Sequence, residues 1–588
     1  MLLLALPLDA WPASLAVRSL DDPPRVQLVR GEEVVLELEE ADEAAARRAA
    51  SLAMRTGPAF RVTTREDRAQ LWAGPELLGE FTQDQARRWG TTPYSLARTF
   101  AARLEAARTG KVPPEPSLEP ASLVVPLGET RSARWRNLAG SPEVTVSDPN
   151  PAGVEVAGGE VRVTGVGRGN TVVTLAWPDR TLRLPVQVRP RAARLPSRLE
   201  IAVSGTLPLE EALRRVLLGK AAPHPAARLE LAFEKPPTLG AEVPVRVSAS
   251  GTGLLPARGR VQVRFTPAKV GLQQAGALAM SNRPEKVTGE GVLLRELLPA
   301  APVRVLVHHR NVPEGPERYL EVLLRNPTAA PLRVFTILSC VGPSSDEIFA
   351  GHLATRRFLE RLQALSGLVL RLAPGETMLV ERLRLKPGQT VSGMGWLQPV
   401  EGGGAELVVR AVDAEGGAVD RDLAEPGPGS FPTGRGLFPP EIQRTHAHQI
   451  GSRYTFIPLG DLPFLTDPGT GEANPGNFGV VHRLRVVLTN PTAEPREARL
   501  DFHPRGGPAR GLFFVDDTFV ETGLASHGSP FRLGRWTLAP GEQREVLLET
   551  LPQSGSNYPV NLDVSSDFLN LPAPPEPTGA PLAPRWLP

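Results

Sequence analysis

The sequence predicts a mostly β, multidomain protein in which tandem β-sandwiches follow a small α+β domain. Three observations support this prediction. The 62 prolines and 56 glycines among 588 residues make up about a fifth of the chain, where about 12% is usual, so helices are interrupted and turns are frequent. Short runs that alternate apolar and polar residues recur between the turns, which is typical of sandwiches. An internal repeat also occupies the C-terminal half.

The composition excludes several classes of function. The chain has 66 basic and 64 acidic residues and a net charge of +2, so no strong field draws it to nucleic acid or anionic lipid. The single cysteine, Cys340, excludes an intrachain disulfide and a zinc site built from several cysteines. Because no run of about 18 apolar residues is present, the sequence predicts no transmembrane span.

The first 16 residues allow two interpretations. The apolar run over residues 1–8, followed by Ser14-Leu15-Ala16, resembles a signal peptide with a cleavage site of small residues. No basic residue precedes the run and Asp9 interrupts it, which favours an N-terminal β-strand. We expect a signal peptide over residues 1–16, with the strand as the alternative.

Residues 20–110 are predicted to form the α+β domain. Two short strands lead into an alanine- and arginine-rich helix over residues 41–56, and three extended segments follow. Thr92, as a helix cap with Pro93 at the first helical position, then begins a longer helix. The proline-rich stretch 111–120 is predicted to be a stiff linker.

Residues 121–190 contain six short alternating runs separated by turns, which predicts a β-sandwich. Its turn and strand motifs are, in order, Val124-Val125-Pro-Leu-Gly128, Val146-Ser-Asp148-Pro149, Val161-Arg-Val-Thr-Gly165 and Gly169-Asn-Thr171. With these motifs the stretch resembles bacterial Ig-like modules, namely the N-terminal domain of pilus-assembly secretins and the Big-type surface repeats. The resemblance implies an extracytoplasmic, non-catalytic domain. Residues 195–290 are predicted to be a further β domain with one helix, over residues 209–218.

The C-terminal half contains two copies of one pattern, over residues 300–424 and 437–568. In each copy a strand ends in an Asn-Pro-Thr turn, and a Leu-Ala-Pro-Gly-Glu turn follows later. The first motif begins at Asn326 and Asn490, and the second begins at Leu372 and Leu538. Both copies resemble the Ig-like domains of bacterial adhesion and surface proteins, which implies tandem β-sandwiches. Residues 425–436 are predicted to be a linker or loop, and the proline-rich residues 569–588 a disordered tail.

Histidine is scarce, and one pair has metal-ligand spacing. His446 and His448 lie two residues apart in a predicted strand, so both imidazoles would point to the same face. His482 and His503, in the same repeat, are candidates to complete a site. The alternative is that these histidines form local hydrogen bonds only.

Other chemistry-bearing patterns are weaker. The loop over residues 467–477 is rich in oxygen side chains, which calcium prefers, but it lacks the usual alternation of ligands. The carboxylate pairs Asp346-Glu347 and Asp516-Asp517 invite comparison with glycosidases, which need two carboxyl groups across a cleft. Cys340 ends an apolar run and is predicted to be a structural thiol. The signatures of P-loop NTPases, zinc proteases and α/β-hydrolases do not occur in the sequence.

We therefore expect a non-catalytic, extracytoplasmic protein of the cell envelope, in the periplasm, on the surface or secreted. It would bind other proteins or surface polymers, within a pilus or secretion assembly among other settings, and it would bind no nucleic acid. The alternative is an envelope enzyme that acts on glycans, or a carbohydrate-binding accessory. A face on which two carboxylates and a tryptophan converge would favour that alternative. Aromatic residues are only 5% of the chain and look scattered, which argues against a stacking platform.

Overall fold

The computed structural model describes residues 15–21, 24–30, 33–39, 43–54, 60–109, 116–138, 141–177, 180–283, 285–413, 436–516 and 518–566. The fold is mostly β, with 54% strand and 12% helix, which confirms the predicted fold class. The chain divides into two compact units. The N-terminal unit holds residues up to 191 together with 253–255, and the C-terminal unit holds the others from residue 192 onward.

The N-terminal unit begins with the predicted α+β domain. Its elements are β1 (Leu15–Asp21), β2 (Pro24–Arg30), β3 (Glu33–Glu39), α1 (Glu43–Met54), β4 (Phe60–Arg65), β5 (Arg68–Ala73), β6 (Glu76–Phe81), α2 (Gln83–Arg88) and α3 (Pro93–Thr109). Strands β1–β3 and β4–β6 form two antiparallel sheets of three strands. Trp89 and Phe100 pack edge to face in the shared core, 5.1 Å between ring centroids. Of the predicted signal peptide, residues 1–14 lie outside the described residues.

A two-sheet sandwich completes the N-terminal unit. Its strands are β7 (Ser117–Glu119), β8 (Leu123–Pro126), β9 (Thr130–Arg136), β10 (Glu143–Val146), β11 (Ala152–Ala157), β12 (Glu160–Gly165), β13 (Gly169–Trp177) and β14 (Arg180–Arg189). They form sheets of order β10-β13-β14-β8 and β11-β12-β9-β7. The prediction of a linker over 111–120 is corrected at β7, because Leu118 is buried in this core and pairs with Trp135.

The first part of the C-terminal unit is a second, larger sandwich. Its elements are β15 (Arg198–Ser204), α4 (Leu209–Lys220), β16 (Arg228–Phe233), β17 (Glu242–Ser250), β18 (Ala257–Pro267), β19 (Ala277–Ser281), β20 (Lys286–Val287), β21 (Gly291–Leu297), β22 (Val303–Asn311), β23 (Arg318–Arg325), β24 (Leu332–Ser344), α5 (Glu347–Gln363), β25 (Gly367–Leu372), β26 (Thr377–Leu385), β27 (Thr390–Glu401), β28 (Glu406–Asp413) and β29 (Leu437–Phe438).

One eleven-stranded sheet, of order β16-β17-β18-β15-β25-β24-β27-β22-β19-β29 with β20 beside β22, faces a four-stranded sheet of order β21-β28-β23-β26. The larger sheet crosses the boundary that the sequence predicts between residues 290 and 300. Strand β15 pairs with β25, and β19 pairs with β22. Because these pairings bury edges that the repeat would otherwise expose, residues 195–290 extend the repeat's sheet and do not form a separate one.

Helix α5 is an insertion that the sequence analysis does not predict. The Asp346 side chain caps it by accepting a hydrogen bond from the Phe349 N–H, at 2.8 Å. Ala350, Ala354 and Phe358 are buried at helical spacing. The second repeat has no helix among its described residues, so the two copies differ at this position.

The last part of the C-terminal unit is the second-repeat sandwich. Its strands are β30 (Glu441–Gln449), β31 (Tyr454–Leu459), β32 (Val481–Thr489), β33 (Arg496–Pro504), β34 (Leu512–Val515), β35 (Thr518–Glu521), β36 (Phe531–Leu538), β37 (Gln543–Thr550) and β38 (Val560–Ser565). They form sheets of order β30-β32-β37-β34-β35 and β31-β38-β33-β36 around an apolar core. Except for Gly436, the predicted linker 425–436 lies outside the described residues, as does the tail 569–588.

The repeated motifs contact each other in both copies. The Asn326 amide donates to the carbonyls of Ala330, Leu372 and Ala373, at 2.7, 3.2 and 3.1 Å. In the second copy the Asn490 amide donates to the corresponding carbonyls of Glu494, Leu538 and Ala539, at 2.9, 2.9 and 3.1 Å. Each asparagine therefore ties its own turn to the Leu-Ala-Pro-Gly-Glu turn of the same sandwich.

Across the parts of the chain that the structure describes, no helix is both long and apolar enough to cross a membrane.

Candidate functional site

The predicted histidine pair lies on β30, at the edge of the second-repeat sandwich. His446 pairs with Val486 and His448 with Leu488 of the neighbouring strand β32. Both ring nitrogens of His448 are within hydrogen-bond distance of hydroxyls, Thr455 Oγ1 at 3.0 Å and Ser566 Oγ at 3.1 Å. Burial lowers the pKa of both histidines. Among the described residues, neither belongs to a group of three ligand atoms close enough to share a metal ion.

The two further histidines do not join this pair. His482 is buried on β32, and burial together with the charge of Arg444 lowers its pKa to about 4. His503 lies on β33, in the other sheet of the sandwich. Its Nδ1 is 2.7 Å from Asp563 Oδ2, and its Nε2 is 2.9 Å from the carbonyl of His527. The four histidines are therefore distributed over two sheets.

The oxygen-rich loop at 467–477 uses its side chains to hold backbone N–H groups, most of them from neighbouring segments. Asp467 Oδ2 accepts from the N–H groups of Gly436 and Leu437, at 3.0 and 3.1 Å. Its Oδ1 accepts from Gly469, at 2.7 Å. Asn477 Oδ1 accepts from the Leu465 N–H at 2.8 Å. The side-chain oxygens of Asp467 and Asn477 thus already accept backbone hydrogen bonds, which would compete with calcium coordination.

One member of each carboxylate pair and the cysteine lie in structural settings. Asp346 caps α5, and Asp516 Oδ1 accepts from the Leu547 N–H at 2.9 Å, whereas Asp517 lies outside the described residues. The Cys340 thiol is free, and burial raises its pKa well above the usual value. A raised pKa keeps the thiol protonated and disfavours a nucleophilic role.

The polar and aromatic residues that do converge lie on the outer face of the sheet β31-β38-β33-β36. Alternate residues of these strands point away from the core, because the apolar ones in between form it. We call this surface the outer face, and its members are Tyr454, Phe456, Pro458, Arg499, Asp501, His503, Arg532, Arg535, Asn561, Asp563 and Ser565.

Two aromatic rings form the most accessible part of the outer face. Tyr454 and Phe456 stack nearly parallel, at 14° and 5.6 Å between ring centroids. They are 39% and 56% exposed. Fully burying one large apolar side chain contributes about 1.5–3 kcal/mol to stability. Because both rings are partly exposed to solvent, the folded chain does not gain the full contribution from either.

A row of charged groups crosses the sheet beside the rings. Phe456 pairs with Asp563, Asp563 with Asp501, and Asp501 with Arg532. Arg532 forms a two-pronged ion pair with Asp501, one contact being 3.3 Å between Nη2 and Oδ2. Burial raises the pKa of Asp501, Arg532 opposes that rise, and the charge of Asp563 adds to it. Asp563 Oδ1 and Ser565 Oγ are buried without a hydrogen-bond partner.

The two carboxylates have tight protein partners, since Arg532 holds Asp501 and His503 holds Asp563. Asp501 is only 1% exposed, so water and substrate reach it poorly. The rings are therefore the part of this surface that a large ligand can contact. The aromatic residues look scattered along the sequence, but the spacing Tyr454-Thr-Phe456 in a strand places both rings on one face.

No family model matches the chain, so the likeness of residues 121–190 to secretin and Big-type modules stays a prediction. No curated protein matches it either.

Among solved structures, domains 1–6 of the surface layer protein SbsC match at 13% identity and a TM-score of 0.13, over 25% of each chain. Titin Ig tandem domains A164-A165 match at 9% and 0.12, over 25% of this chain and 93% of theirs. A Clostridium perfringens ZmpB structure, containing the M60 catalytic domain with two CBM51 domains, matches at 8% and 0.15, over 77% of this chain and 54% of that one. The chain spans only a quarter of the SbsC fragment. TM-scores this low support no inference about function.

Proposed function

We propose that this protein is a non-catalytic, extracytoplasmic binding protein whose second-repeat sandwich holds a polysaccharide of the cell surface on its outer face. The exposed stack of Tyr454 and Phe456 is the observation that supports this most strongly. The remaining domains would act as the scaffold that positions this face.

The chemistry of the outer face suits a sugar chain. Pyranose rings present apolar C–H faces, and rigid aromatic side chains offer contact area to such faces at a low cost in conformational entropy. Both rings stand on one strand, so their spacing is set before binding. Hydroxyl groups would find partners at the rim, where Arg505 donates to Asn561 Oδ1 at 3.4 Å and lies 3.8 Å from Asp461.

A binding assay tests the proposal directly. Tag-free protein is incubated with insoluble cell-wall polysaccharide and peptidoglycan from the native organism, and the bound fraction is measured. Replacing both rings, as Tyr454→Ala with Phe456→Ala, should reduce retention at least tenfold. Tyr94→Ala is the matched control, because Tyr94 is 43% exposed in the other unit. Equal retention of the double variant and the wild type would exclude the outer face as the binding surface.

A second candidate is an enzyme that cleaves glycans, and one observation favours it. Asp501 and Asp563 lie directly opposite each other on paired strands, and retaining glycosidases use two neighbouring carboxyl groups. Asp501 is nearly buried and paired with Arg532, so this candidate is the weaker of the two. Release of reducing ends from the bound polysaccharide, lost in Asp563→Asn, would support this candidate. Binding without any release would leave the non-catalytic function in place.

A further inference from the structure

A group of three potential metal ligands lies in the larger sandwich of the C-terminal unit, away from the histidines that sequence spacing singles out. One ligand atom each from Glu285, His308 and Glu347 lie within 4.8 Å of one another. Across the described residues, no other three histidine, cysteine or acidic side chains meet this closely. We propose that Glu285, His308 and Glu347 bind a divalent transition-metal cation.

Backbone contacts fix the three ligands from different elements. Glu285 immediately precedes β20, and its carbonyl accepts from the Arg310 N–H of β22 at 2.7 Å. His308 lies within β22, between β19 and β27 in the sheet. Glu347 is the first residue of the capped helix α5. Gly555 packs so closely on the Glu347 carbonyl that a Cβ there would collide with it. The backbone positions of the three ligands are thus fixed before an ion binds.

Two polar atoms at this position lack partners. His308 is only 5% exposed, and its Nδ1 is buried without a hydrogen bond. Glu347 Oε2 is also buried without one, although Arg310 Nη1 lies 3.6 Å away. Buried polar atoms are nearly always satisfied by protein, water or an ion. A bound cation would satisfy both atoms at once.

The adjacent histidine does not compete for the ion. His309 points to the other face of β22, where its Nε2 lies 2.8 Å from Ser281 Oγ.

The donor set selects the class of metal. One imidazole nitrogen with two carboxylate oxygens suits Zn²⁺ or Mn²⁺ better than Ca²⁺ or Mg²⁺, which prefer oxygen alone. Ligands about 2.1 Å from one ion lie at most about 4.2 Å apart, so a group whose ligand atoms lie within 4.8 Å of one another needs at most a small contraction. Glu285 is exposed and can move. Three protein ligands leave a position open for water or for an oxygen of a bound partner.

Metal titration of the full chain tests the site. Tag-free protein is dialysed against EDTA and titrated with Zn²⁺, and separately with Mn²⁺, in competition with a chromogenic chelator. The wild type should bind one equivalent of at least one of these ions and melt at a higher temperature with it. Glu285→Gln and Glu347→Gln should each weaken binding at least tenfold. Glu285 is exposed, so its variant should fold normally.

Two controls decide where the ion binds. Glu314→Gln replaces another exposed glutamate and should bind like the wild type. His446→Ala tests the pair that sequence spacing suggests, and it should also leave binding unchanged. Binding that survives both ligand variants, or that only His446→Ala removes, would overturn the proposal. So would the absence of any stoichiometric binding of Zn²⁺ or Mn²⁺ at micromolar concentrations.

Discussion

His482 occupies a core position of the second-repeat sandwich without a hydrogen bond to either ring nitrogen. Its pKa of about 4 lies below the value of about 6.5 expected in the unfolded chain. The folded protein thus holds this ring neutral, whereas the unfolded chain protonates it as the pH falls below about 6.5. Stability that depends on the neutral ring is therefore complete above that pH and is lost as the pH falls toward 4.

We predict that His482→Leu flattens the acid side of the stability profile. The wild type should lose about 3 kcal/mol through this residue between pH 7 and pH 4, and the variant should lose correspondingly less. The variant should also be at least as stable as the wild type at pH 7, because it removes two unsatisfied polar atoms. Urea unfolding at several pH values measures both effects. His527→Gln, at an exposed site, should keep the wild-type slope, and an unchanged slope in His482→Leu would contradict the account.

Glu321 shows the opposite situation, a buried charge with full compensation. It is buried, and its two oxygens accept from Arg382 Nε and Arg410 Nε, both at 2.8 Å. The three residues lie side by side on β26, β23 and β28. Removing the central charge would leave two mostly buried guanidinium groups on either side of a neutral residue.

We expect Glu321→Gln to lower the free energy of unfolding by about 3–5 kcal/mol, as breaking a buried ion pair does. Glu317→Gln is the matched control, because Glu317 pairs with Arg384 near the surface at 2.7 Å. Its cost should be about 1 kcal/mol or less. Denaturant unfolding of both variants measures the two losses in the free energy of unfolding. Equal losses would show that burial does not determine how much an ion pair contributes to stability.

At the residue scale, the sequence predicts the spacing of side chains along a strand but not the groups that surround each side chain. It places His446 and His448 on one strand face. It does not reveal that both ring nitrogens of His448 lie within hydrogen-bond distance of hydroxyl groups. It also cannot bring together Glu285, His308 and Glu347, because long-range pairing and a helix cap create that group. Exposure is hidden in the same way, which is why Tyr454 and Phe456 were missed.

At the scale of elements, the two Asn-Pro-Thr turns are the clearest link between sequence and structure. Asn490 is fully buried, and besides its three donated bonds its Oδ1 accepts from the N–H and hydroxyl of Thr492, at 3.0 and 2.7 Å. The Asn490 side chain thereby provides hydrogen bonds to backbone groups of both turns at the point where the turns meet. The repetition of the motif thus reflects a structural requirement of each sandwich.

Replacing Asn490 with alanine should therefore destabilise the second-repeat sandwich by about 3 kcal/mol, since several buried carbonyls lose their donor together. Gln543→Ala, at an exposed position of the same sandwich, should change stability by less than about 0.5 kcal/mol. Chemical denaturation followed by circular dichroism compares them. A loss below about 1 kcal/mol in Asn490→Ala would mean that water replaces the asparagine.

The sequence predicts strands and turns well because alternation and turn residues are local signals. It predicts α4 at residues 209–218, close to its observed span Leu209–Lys220. It does not predict α5, because the helical period that begins at the Asp346 cap interrupts the alternation typical of the repeat.

At the scale of the whole molecule, the two repeats are not independent domains. One core cluster of the C-terminal unit includes Leu306 and Phe358 of the first repeat together with Phe514 and Phe519 of the second. His352 of α5 also lies 2.6 Å from Glu521 of β35. Strand order and shared cores depend on contacts between residues distant in sequence, which no local pattern encodes. The sequence therefore predicts domain boundaries at positions where the structure is continuous.

Fragments test this continuity. Residues 300–424 alone should fail to fold, or should aggregate, because the fragment lacks β15 and β19 and exposes the edges that they cover. Residues 192–588 should fold cooperatively, because they contain the complete C-terminal unit. Thermal melts and proteolysis of both fragments provide the comparison. A protease-resistant, cooperatively melting 300–424 fragment would show that the shared sheet is dispensable.

Hydrogen–deuterium exchange in the presence of the bound polysaccharide tests the central claim most directly, because it locates the ligand without a substitution. We predict that protection rises over β31 and β38, residues 454–459 and 560–565, and that the N-terminal unit is unchanged. Protection confined to other strands, or no change at saturating polymer, would contradict a binding surface on the outer face of the second-repeat sandwich.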